Sequence, residues 1–248
     1  MKRLVLALLL FTFIVEPSFS ISVSNNTYLN IENEDNLTMD TLWAKNGKYE
    51  EKVIAVGSKL LYENKINKRV PFLVARDKTI NATSHRFSKN VTIHQGILPY
   101  VDNDDELAFI IGHEISHSLD AYGGVPAWIA NNFNSKHYEY KSDLMGIDMM
   151  VKAGYNPVAA LTCANKFMPE DQWDFGFFFS HPKTSKRLME MYKYIRVKYP
   201  WALNTQMASN IHYVNFTRCM ERDIKVFEQK RQEKDYKRQQ KENAKEKV

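Results

Sequence analysis

Cysteine is scarce in this chain. Cys163 and Cys219 are its only two in 248 residues. They could form one disulfide in an oxidising compartment or stand as two buried free thiols, and spacing does not choose between these. Long apolar runs are also lacking. The single apolar stretch, Leu4 to Val15, is short for a membrane span, which needs about 20 residues, and no second run exists. No cysteine follows that stretch, which argues against a bacterial lipoprotein. No strong internal repeat shows. A block of one charge sign is missing too: from Glu221 onward ten Lys/Arg are interspersed with seven Asp/Glu. Such a mixture reads as a solvated helix with a frayed end rather than a nucleic-acid-binding tail, so no nucleic acid partner is expected. Contact with acidic lipid at a membrane periphery is the sharper alternative for this tail.

What is present is an ordinary globular composition, 44% hydrophobic and 25% charged, enough for one good-sized core. The N-terminus has the design of a secretory signal: Lys2 and Arg3, the apolar run, then Ser18 and Ser20 at −3 and −1 of a cut after Ser20. We therefore expect export to a periplasmic or extracellular space. The expected organisation is a signal peptide over 1–20, a linker over 21–38, a catalytic domain over 39–220 and a charged tail over 221–248. Five Asn-X-Ser/Thr sequons, at Asn25, Asn36, Asn81, Asn90 and Asn215, hint at glycosylation, although an Asn-rich composition produces such matches by itself.

Periodicity predicts a long helix over 39–66 with an irregularity near Asn46-Gly47, and a strand over 70–77. Residues 86–98 read as a hairpin or edge strand followed by a turn. A helix then begins behind Asp102 as N-cap, with Asp104, Asp105 and Glu106 suiting its positive end. Further helices are expected over 135–152, closed by Gly154, from Pro157 with Asn156 as N-cap, over 182–198, and over 205–240. An aromatic-rich loop fills 168–182. The fold class is α+β, mostly helical, with a small sheet.

Within the helix that follows Asp102 stands FIIGHEISHSLD. Residues four apart share one helical face, so His113 and His117 can converge on one metal ion. Glu114 sits about 100° round the helix, beside such an ion, where it could take a proton from water. The plainer reading is a pair of hydrogen-bonded core histidines. Zinc needs a third protein ligand and leaves its fourth position to water. An HExxHxxGxxH layout is excluded, because Asp120 and Gly123 occupy the required positions. A glutamate on a later helix remains, and KHYEYKSDLMG supplies Glu139. Asp143, four residues on, could hydrogen-bond the outer nitrogen of a liganding histidine. Without HEISH upstream, the two would read as a solvent-facing carboxylate pair.

HEISH, then EYKSD, then SHPKTSKR resembles, in order, the HExxH, ExxxD and HP…R motifs of the HtpX, CAAX prenyl protease and mitochondrial OMA type zinc metallopeptidases, metallopeptidase family forty-eight. The similarity covers about residues 40–200. It implies a gluzincin-type core with an HExxH active-site helix and one zinc ion per chain, held by His113, His117 and Glu139. It implies Glu114 as general base and Asp143 as the residue orienting a ligand. His181 would donate to the tetrahedral oxyanion, a role that suits the charge growing there. Arg187 would act in catalysis by pairing with Asp143 or with the oxyanion region, and Asn81 would help hold substrate or the oxyanion. With no second apolar run, the chain is similar to the soluble, exported branch, such as the periplasmic proteases BepA and LoiP.

Substrate is then expected as an extended polypeptide added to an edge strand near Val91–Gln95. Phe175, Phe177, Phe178 and Phe179 either line the cleft or fill core beside it. Two functions compete: a zinc endopeptidase acting on exported or misfolded envelope proteins, and a chaperone or assembly factor that keeps the fold without cutting.

Overall fold

The computed structural model describes residues 39–85, 87–123, 135–168 and 184–245. The first helix, α1 (Met39–Glu63), carries Val53, Val56 and Leu60 buried along one stripe. It runs unbroken through Asn46-Gly47, where an irregularity was expected. The tip of the Phe72 ring rests on Gly57, where a Cβ would lie 2.6 Å from it.

Three short strands follow, β1 (Phe72–Ala75), β2 (Ala82–Ser84) and β3 (Val91–His94). Their order is β1-β3-β2, with β1 parallel and β2 antiparallel to β3. This corrects the edge expected near Val91–Gln95. β3 is the central strand, its first three residues are buried, and Gln95 already belongs to the 3-10 helix Gln95–Tyr100. The edge next to the later helices is β2. The alternation of VTIH reads as a strand with one buried face, but Thr92 is buried along with Val91 and Ile93 because β3 has a neighbour on each side.

α2 (Asp104–Asp120) is the centre of the molecule, with every residue from Glu106 to Ser118 buried. Its N-cap is Asn103, not Asp102: the Asn103 side chain accepts from the Glu106 backbone N–H. Asp102 is engaged elsewhere. Its N–H donates to the Glu106 carboxylate at 3.0 Å, and its own carboxylate pairs with Lys166 at 2.6 Å. α3 (Ser135–Lys152) ends as its sequence predicts. Gly154 takes φ +81°, and Tyr155 N–H closes back on the Met150 carbonyl at 2.8 Å. α4 (Val158–Phe167) starts where the Asn156 side chain accepts from Val158 N–H.

After α5 (Thr184–Lys198), the single helix expected over 205–240 is divided. A 3-10 turn (Gln206–Ser209) leads to α6 (Ile211–Cys219), and Met220 breaks it from α7 (Glu221–Lys245). Before the break Phe216 sinks into the core against Tyr192, ring centroids 5.8 Å apart. The core is one cluster, formed by α1, the sheet, and α2 through α6. Cys163 is buried and Cys219 exposed, and both thiols are free. Among the described residues no helix is long and apolar enough to cross a membrane.

Candidate metal centre

The site is made where α2 and α3 cross. Two glycines bring them together. A Cβ on Gly112 would lie 3.2 Å from Gly146 Cα, and one on Gly146 would lie 3.0 Å from the His113 backbone nitrogen. Each glycine stands next to the site it builds: Gly112 precedes His113, and Gly146 lies one helical turn beyond Asp143. Sequence reading passed over both. The signal was there, since a glycine inside an apolar helix costs stability and calls for a packing reason.

At this crossing His113, His117 and Glu139 converge, all buried, with one donor atom from each within 4.8 Å of the others. The separations are 3.1 Å between the two Nε2 atoms, 3.4 Å from His117 Nε2 to Glu139 Oε1 and 3.7 Å from His113 Nε2 to Glu139 Oε2. Atoms bound at 2.0–2.1 Å to a tetrahedral ion lie roughly 3.3–3.4 Å apart, so this donor set fits a zinc-sized dication. Two nitrogens and one carboxylate also match the chemistry of a hydrolytic zinc site with an open fourth position.

The surroundings select the right form of each donor. Asp143 Oδ1 lies 3.0 Å from His113 Nδ1, which places the proton there and leaves Nε2 as the lone-pair atom. Burial pushes the His113 pKa down, outweighing its Asp143 partner, so the ring is neutral as a ligand must be. Burial alone would raise the Asp143 carboxyl, but the Arg187 guanidinium outweighs it and holds the group below the usual range. Arg187 donates from Nε at 2.8 Å and Nη2 at 2.7 Å to Asp143, and its Nη1 lies 3.2 Å from Glu139. Of its two expected partners, therefore, the structure shows Asp143. Arg187 stands behind the donors and positions two of them at once. Burial also opposes charge on His117, yet its hydrogen bond to Glu139 and that carboxylate's charge raise its pKa. Ser142 Oγ, 3.4 Å from His117 Nδ1, is an outer partner that the sequence reading missed, although it adjoins Asp143.

Glu114 is fully buried between α2 and β2. Desolvation pushes its pKa up to about 8, and the Ser84 hydroxyl of β2 and the charge on His117 only partly offset this. A carboxyl in that state suits proton transfer near neutrality. Asn81 stands at the head of β2, where its Oδ1 accepts from Ala82 N–H and its carbonyl from His94 N–H. His181 and the aromatic residues Phe175, Phe177, Phe178 and Phe179 lie outside the described residues. Of the sequons, Asn90 is buried with its amide donating to Thr92 Oγ1, so it is no acceptor for a glycan in the folded chain.

No curated protein and no solved structure matches the chain. The family model described as peptidase family M48 matches residues 48–121 and 118–195, a span that runs from α1 through both ligand helices to α5 and takes in more than half the chain. Matched over more than half its length, the chain belongs to peptidase family M48.

Proposed function

We propose that this metallopeptidase is a zinc-dependent endopeptidase, exported by residues 1–20, that cuts extended segments of misfolded or exported polypeptides. The observation that carries the reading is the buried triad His113, His117 and Glu139 beside the raised carboxyl of Glu114. His113, His117 and Glu139 would hold the zinc, which supplies a Lewis acid and lowers the pKa of water. Glu114 takes a proton from the attacking water and later passes it to the leaving amine. Asp143 and Arg187 keep the donors aimed. His181, next to Pro182, is the donor we assign to the developing oxyanion.

The substrate strand is assigned to the outer edge of β2. β2 packs on α2, the helix that carries Glu114, and its other edge is already paired with β3. A strand added there reads backbone first, which suits unfolded chains of many sequences. Asn81 opens that edge and would engage substrate backbone.

The test is metal content and casein cleavage on the same preparation, with Glu114→Gln alongside. One zinc per chain is expected, with cleavage abolished by a chelator and reduced by about 10²–10⁴-fold in the variant. Full cleavage by Glu114→Gln would sink the assignment of the general base, and a chain that binds no zinc would sink the reading as a whole.

A further inference from the structure

In sequence the charges of the tail alternate in sign. In α7 they are sorted. Lys230, Lys234, Lys237 and Lys241 follow one another at i, i+4, i+7 and i+11, and so form one narrow stripe along the helix. All four are exposed. Arg238 borders the stripe and is paired with Glu242 at 2.9 Å, and Glu233 lies on its other margin. Beyond Arg231 the opposite side of the helix shows Gln232, Tyr236, Gln239 and Asn243, together with the acidic Asp235. α7 is held to the body only at its start, where Ile224 and Phe227 pack on the core and Glu228 meets Arg196 at 2.8 Å. Beyond Arg231 every residue through Asn243 is exposed.

We propose that this lysine stripe docks the protein on an anionic phospholipid surface. Four like charges spaced over about 16 Å of a straight helix match a plane of headgroups. The stripe has no apolar residue with which to bury a protein partner. Of the two aromatics of its helix, Phe227 packs on the core and Tyr236 lies on the far side, so no base could stack beside the lysines as single-stranded nucleic acid requires. The choice of lipid over nucleic acid also rests on the exported reading above. Docked this way, the helix would hold the peptidase at a membrane periphery by charge alone, reversibly and with strong salt dependence.

The test is co-sedimentation of the full chain with phosphatidylcholine vesicles, with and without phosphatidylglycerol. The comparison is with the quadruple variant Lys230→Gln, Lys234→Gln, Lys237→Gln, Lys241→Gln. Glutamine has nearly the helix propensity of lysine, so α7 keeps its form, and circular dichroism checks that. Binding to the anionic vesicles is expected to fall by about a thousandfold in the variant and to fall with added salt in the parent. Neutral vesicles should not distinguish the two proteins, which share the Leu4–Val15 segment. The matching arginine variant should bind like the parent. Equal binding of parent and glutamine variant to anionic vesicles, or binding that salt does not weaken, would overturn the proposal. Tighter lysine-dependent binding to an oligonucleotide than to the vesicles would replace the lipid by nucleic acid. Casein cleavage in solution should be the same in both proteins. Its loss from both would count against the peptidase reading while leaving the vesicle result to stand by itself.

Discussion

Arg187 and Arg238 make ion pairs of nearly the same length, 2.7 Å to Asp143 and 2.9 Å to Glu242, but in opposite surroundings. The side chains of the first pair are 5% and 1% exposed, those of the second 78% and 58%. Distance therefore says little about what a charge does in this protein. Behind the metal centre water is excluded, so each charge must find its partner or be very costly, and the result is a rigid frame for two metal donors. Beyond Arg231 on α7 water and salt screen each charge, and the charges are left to act on an outside surface.

The sharpest way to break this contrast is to remove the buried cation. Arg187→Met leaves Asp143 and Glu139 without their shared partner, and the expected cost is about 3–5 kcal/mol in urea unfolding. A loss no larger than that of a surface substitution would show that the buried frame is far wetter than its geometry implies.

Glu114 offers the next largest effect, with the opposite sign. Its carboxyl is held at about 8, against an ordinary value of 4.5, by burial. The folded metal-free chain thus keeps a proton that the unfolded chain releases. That stabilising contribution is complete below the unfolded value and is lost as pH rises toward 8. Glu114→Gln has no proton to lose. In the presence of a chelator it should be more stable than the parent by roughly 3 kcal/mol at pH 7, and no more stable at pH 4. Denaturation curves at the two pH values measure this directly. The same substitution should abolish cleavage, so the site sacrifices stability for chemistry.

Gly146→Ala probes the crossing itself. Its Cβ meets the His113 backbone nitrogen at 3.0 Å, and α2 and α3 must part to admit it. A cost of about 1–3 kcal/mol is expected, together with weaker zinc binding in a chelator competition. Unchanged zinc affinity would mean that the donors follow the helices without strain. At the bottom of the scale, Arg238→Ala should leave the melting temperature and casein cleavage unmoved within error. A clear shift in either would show that α7 is more than a solvated rod.

The donors were legible in the sequence because helical spacing is local. His113 and His117 need only one helix to meet, and the cap of α3 at Gly154 is written in its own residues. Glu139 could be named through a motif and a ligand count, but its position over the two histidines depends on Gly112 and Gly146, which touch across a crossing that no local rule describes. The strand edge was misplaced for the same reason. VTIH reads as a strand from its own pattern, whereas its place in the sheet depends on β2, three residues long and too short to show a period. The division of 205–240 was hidden too, because Phe216 turns inward only when Tyr192 is there to receive it.

For this protein the sequence alone determined the residue types that can bind a metal and move a proton, the helices that carry them, and the family to which they point, all of which rest on spacing along one chain. Tertiary structure decided which carboxylate faces which imidazole, that Arg187 bonds both Asp143 and Glu139, that β2 is a sheet edge among the described residues, and that the scrambled charges of the tail form an ordered stripe. These depend on burial and on contacts between distant segments. Desolvation is a property of the whole packed chain, and no residue carries it in its name.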